Sequence, residues 1–86
     1  LGDKKGIALS LNNLGNLKKN QGEISEAERL YNESLVICRE LGDKKGIALS
    51  LNNLGELKEN QGEISEAERL YNESLEILRE LGDKKK

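Results

Sequence analysis

Several residue types are missing from this 86-residue sequence, and each absence narrows what the chain can be. There is no proline, so nothing forbids long uninterrupted helices. There is one valine and no threonine or phenylalanine, which leaves few of the residues that favour strands. There is no histidine, which removes the commonest general base and metal ligand. A single cysteine, Cys38, excludes an intrachain disulfide and makes a reducing, cytoplasmic setting the default expectation. No apolar run approaches the roughly 20 residues that span a bilayer, and the N-terminus lacks a signal-peptide pattern. The formal net charge of -2 supplies no basic surface for nucleic acid. No cofactor and no metal site is expected, and the dispersed acidic residues read as solvated helix faces rather than as a catalytic cluster. The stretch "GDKKG" holds glycines near lysines but lacks the phosphate-loop spacing, so it reads as a turn and a helix cap. The chain is not expected to be an enzyme.

What the sequence does have is a period. Residues 41–80 copy residues 1–40 except for Asn16/Glu56, Lys19/Glu59, Val36/Glu76 and Cys38/Leu78. The chain therefore divides into residues 1–40, residues 41–80, and a stub at 81–86 that either begins a further unit or extends the last helix. A fixed period of this length marks stacked supersecondary units. The first unit is neutral and the second is acidic.

Advancing 100° per residue gathers Ile7, Ala8, Leu11, Leu14 and Gly15 on one side of a helix, with Ser10 and Leu17 at the edge. Asn12, Asn13, Asn16, Lys19 and Asn20 fall opposite. A second helix gathers Ile24, Ala27, Leu30, Tyr31, Ser34, Leu35, Cys38 and Leu41. Gly22 and Gly42 suit helix ends. Ser25 with Glu28 reads as a capping box, and Asp43 as an N-cap. The pattern predicts an all-α chain with helices over about 4–21, 25–41, 44–61 and 65–82. Of the four differences between copies, three fall on polar faces. The fourth, Cys38/Leu78, stays apolar, so Cys38 reads as a packed side chain. Gly15 and Ala27 lie on facing helices, where small residues let the axes approach, and a larger residue at Gly15 should force them apart.

The stretch "NNLGNLKKNQGEISEAERLYNESL" resembles a tetratricopeptide repeat. Leu14-Gly15, Gly22, Ala27, Tyr31 and Ser34-Leu35 match that family's leucine-glycine, turn glycine, small, aromatic and small positions, and Gly55, Ala67, Tyr71 and Ser74 repeat them. The period of 40 rather than 34 is similar to the longer repeats of kinesin light chains and bacterial signalling arrays. Leu11 and Leu51 replace an aromatic, and Arg39 and Arg79 stand near a usual proline. Lys18 and Lys58 take the place of a tyrosine within the apolar stripe, so each ammonium must snorkel, meet a carboxylate or lie at an edge.

The resemblance implies a right-handed α-solenoid whose concave face, lined by the first helix of each repeat, holds a peptide or protein partner. The partner-binding candidates are Leu9, Asn12, Asn13, Asn16, Lys19, Asn20, Leu49, Asn52, Asn53, Glu56, Glu59 and Asn60. Their carboxamides can both donate to and accept from a peptide backbone. Lys19 against Glu59 would give this face one basic and one acidic patch. Grip on a C-terminal carboxylate is not expected, because Asn12 and Asn52 stand where that function uses lysine and Glu56 would repel it. The competing reading is a self-assembling element, for instance a homodimer with helices exchanged through Gly42–Gly46, or a designed repeat with no native ligand. Neither nucleic acid nor membrane is expected as a partner.

Overall fold

A computed structural model describes residues 3–83. They form four helices, α1 (Lys4–Asn20), α2 (Ile24–Leu41), α3 (Lys44–Asn60) and α4 (Ile64–Asp83). Each boundary lies within a residue or so of the one read from the sequence. The stub beyond Asp83 lies outside the described residues, while Leu81 and Gly82 continue α4.

The local signals explain the boundaries. Asp3 and Asp43 cap α1 and α3, their carboxylates accepting from the amides of Gly6 (3.0 Å) and Gly46 (3.2 Å). The capping box read at Ser25 and Glu28 does not form. α2 opens a residue earlier, after Glu23, which makes no side-chain cap bond. Glu28 is drawn away instead to Lys58, 3.1 Å off on α3. At the end of α2 Gly42 adopts φ 69°, a left-handed conformation that glycine reaches without a Cβ penalty. The Asp43 amide can then bond back to the Cys38 carbonyl at 3.0 Å, closing the helix end.

α1 packs on α2 and α3 on α4, giving two helix pairs, and α2 joins them by packing on α3. Within each pair the crossing is set by a glycine beneath a tyrosine. A methyl group at Gly15 would lie 2.6 Å from Tyr31 Cε1, and one at Gly55 would lie 2.8 Å from Tyr71 Cε1. A serine pins the same crossing, Ser34 Oγ donating to the Ala8 carbonyl and Ser74 Oγ to that of Ala48, both at 3.0 Å. The core lies mainly at the seam between pairs, where Tyr31 and Leu35 meet Leu51, Leu54 and Leu57.

The two copies differ in burial although their sequences nearly coincide. Leu54 is 4% exposed in the seam, whereas its counterpart Leu14 is 42% exposed. Leu35 is 7% exposed, whereas Leu75 is 44% exposed. Among the described residues nothing covers the outer side of α1 or of α4, so the apolar face expected around Leu14 is formed but open.

Candidate protein-interaction face

The N-terminal halves of α1 and α3 lie side by side across the seam and enclose a groove of about 470 Å³. Its apolar lining comes from Ala8, Leu9, Cys38 and Leu49, and its rim carries Asp3, Lys5, Asp43 and Lys45. Leu9 and Leu49 are both exposed. They occupy equivalent positions in the two copies, so the repeat itself places two leucines on one concavity. Cys38 closes the floor: a methyl group at Gly46 would come within 2.5 Å of its Sγ, so glycine is what lets α3 pass over the thiol. Burial, followed by the nearby Asp43 carboxylate, pushes the thiol's pKa up. Cys38 is therefore a packed, unreactive group.

The twelve residues expected on this face separate into two sets. Leu9, Asn13, Asn20, Leu49, Asn52 and Asn60 are exposed with no side-chain partner among the described residues. The others are engaged within the chain. Asn12 departs furthest from the expectation, being 3% exposed. Its amide nitrogen donates to Ser50 Oγ at 3.5 Å, and its carbonyl oxygen accepts from Asn53 Nδ2 at 3.4 Å. A wheel drawn for one helix pair places Asn12 opposite the apolar stripe. In the stack that side of α1 meets α3 of the following pair, so Asn12 is a seam residue.

Asn16 is half-buried and accepts from the Tyr31 hydroxyl at 2.5 Å. Lys19 reaches Glu56 across the seam at 3.0 Å. The expected separation into a basic and an acidic patch is thus replaced by a pair that neutralises itself. Glu59 accepts from the Tyr71 hydroxyl at 2.8 Å. Burial and then this carboxylate raise the Tyr71 pKa to about 12. Tyr31 is raised too, first by burial and then by Glu56.

The two lysines in the apolar stripes find carboxylates. Lys58 pairs with Glu28 at 3.1 Å and with Glu63 at 3.8 Å, and the bond to Glu28 chiefly raises its pKa. Among the described residues Lys18 meets only Glu23, at 3.9 Å. Sequence reasoning overlooked Ser50 and Glu28 as seam residues. Ser50 bridges Ser34 Oγ (3.2 Å) and Asn12, and a serine three residues after Ile47 and four before Leu54 was the available signal.

No cluster of three or more metal-ligating side chains occurs among the described residues, and no helix there is long and apolar enough to cross a membrane. No curated protein shows a significant sequence match to the chain. The family model for the tetratricopeptide repeat matches residues 6–80, which span all four helices and both Gly–Tyr crossings, so the chain belongs to the tetratricopeptide repeat family.

Proposed function

We propose that the chain is a non-catalytic scaffold that holds a segment of a partner polypeptide against the face shared by α1 and α3. Tetratricopeptide repeats are in general protein-interaction modules, which sets the class of function. The observation that carries the reading is the groove between Leu9 and Leu49, two exposed leucines one repeat apart on a single concavity. An apolar side chain of the partner enters between them, and the exposed carboxamide of Asn13 bonds the backbone beside it. The rim alternates Asp3 and Asp43 with Lys5 and Lys45, so it selects no single charge sign. Within the family, the likeness to kinesin light chains and signalling arrays rests on the forty-residue period alone.

The test is selection of a random displayed-peptide library against the chain, followed by amide chemical-shift mapping with an enriched peptide. Shifts should concentrate at Leu9, Asn13 and Leu49, and Leu9→Lys or Leu49→Lys should abolish binding with helicity unchanged. Failure to enrich any sequence, or shifts confined to the outer side of α4, would overturn the reading.

A further inference from the structure

The seam between the two helix pairs shows what covers the open sides of α1 and α4. On one side of it α2 presents Glu28, Asn32, Leu35 and Arg39. On the other, α3 and α4 present Leu51, Leu54, Lys58 and Glu73. The first set recurs without change on α4 as Glu68, Asn72, Leu75 and Arg79, and the second on α1 and α2 as Leu11, Leu14, Lys18 and Glu33. The two halves of the internal seam are thus displayed again, one at each end of the molecule, and both are uncovered. Each end also carries a shallow hollow of about 420 Å³, one beside Ile7 and Leu14, the other beside Asn72 and Leu75.

We propose that these ends dock on each other: the α4 side of one copy of this chain receives the α1 side of a second copy, repeating the internal seam between molecules. The polar contacts of the seam carry over. Asn12 to Ser50 becomes Asn52 to the second copy's Ser10, and both are exposed here. The ion pairs Lys58–Glu28 (3.1 Å) and Arg39–Glu73 (3.8 Å) become Glu68 with the second copy's Lys18 and Arg79 with its Glu33.

Three of the four positions at which the copies differ are compatible with this contact. The Lys19–Glu56 pair, 3.0 Å apart, is replaced by Glu59 facing the second copy's Asn16, a carboxylate beside an amide that can donate to it, with no like-charge opposition. Cys38 is replaced by the bulkier Leu78, so where Gly46 passes closely over the thiol the second copy's Gly6 has to stand further off. Val36 and Glu76 are exposed and lie outside the contact. Because the two surfaces differ, the contact is heterologous and does not close on itself after two copies.

Sedimentation velocity up to about 1 mM, the range of weak specific association, tests this directly. The expected result is an average mass that rises continuously from 9.6 kDa past twice that value. Leu14→Lys blocks one side and Leu75→Lys the other. Both positions are exposed, so each variant should keep wild-type helicity. Each variant alone should remain monomeric, and an equimolar mixture should stop at a one-to-one dimer. A wild-type mass fixed at 9.6 kDa would leave these faces to other repeats or a foreign protein and overturn the proposal. So would a dimer that never grows, or self-association that survives in Leu14→Lys alone, as a symmetric or helix-exchanged dimer would give.

Discussion

Asn12 and Ser50, from the first helices of successive pairs, meet at 3.5 Å in a place where neither touches solvent appreciably. Each has a counterpart in the other copy, Asn52 and Ser10, that is exposed. One sequence position therefore serves as seam or as surface depending on what is stacked beside it. Truncating a buried hydrogen-bonding side chain costs about 1–2 kcal/mol, and truncating an exposed one typically less than about 0.5 kcal/mol. Asn12→Ala should destabilise the chain by the larger amount and Asn52→Ala by the smaller, as measured by urea unfolding.

The leucines give a larger contrast of the same kind. Leu54→Ala empties a packed position in the seam and should cost about 2–5 kcal/mol. Leu14→Ala removes the same atoms from a half-exposed face and should cost under about 1 kcal/mol. Equal costs in dilute solution would mean that the two faces are equally covered.

Gly15 and Gly55 should respond differently to alanine. Both gain about 1 kcal/mol of helix propensity from the change. At Gly15 the new methyl meets a Tyr31 ring that is buried on all sides and cannot withdraw. Overpacking of this kind costs about 1–3 kcal/mol, so Gly15→Ala should be net destabilising. Tyr71 is only half-buried and can tilt away, so Gly55→Ala should be close to neutral. Thermal unfolding of the two variants measures the difference.

Lys58 and Lys18 occupy equivalent positions, but only Lys58 has Glu28 at 3.1 Å across the seam. A double-mutant cycle on Lys58 and Glu28 should give a coupling of about 0.5–1 kcal/mol that weakens with salt. The same cycle on Lys18 and Glu23, 3.9 Å apart and with the carboxylate exposed, should give close to none.

The phenol of Tyr71 titrates near 12, above the value of about 10 of an unfolded tyrosine. A raised pKa means that the fold favours the neutral phenol. That contribution is complete below about pH 10 and is lost as pH rises through 12. Phenolate absorbance should therefore appear late in an alkaline titration of the folded chain, and Tyr71→Phe should flatten the fall in stability between pH 10 and 12.

The helices, the cap at Asp43 and the terminating Gly42 could all be read from the sequence because they depend on residues within one turn of each other. The apolar stripes were legible for the same reason, and so was the sorting of the four substitutions into polar and apolar sites. The role of Asn12 was not. A helical wheel knows one neighbour, whereas α1 has two: α2 behind it and α3 beside it. The same limit hid Glu28, whose expected local bond at a helix start gave way to a cation thirty residues away in the next repeat, Lys58 rather than Lys18. On the candidate interaction face, exposed Leu9 and Leu49 were legible as a repeated apolar position. The pairing of Lys19 with Glu56 needed the rotation of one pair against the next, which no single-helix period contains.

Cys38 has a consequence of its own, because the lone sulfur lies beneath Gly46 at the joint between the two pairs. Its rate of labelling by a thiol reagent is a clock for how often that joint gapes. The chain thus carries an internal gauge of its own breathing, readable without adding any probe to its surface.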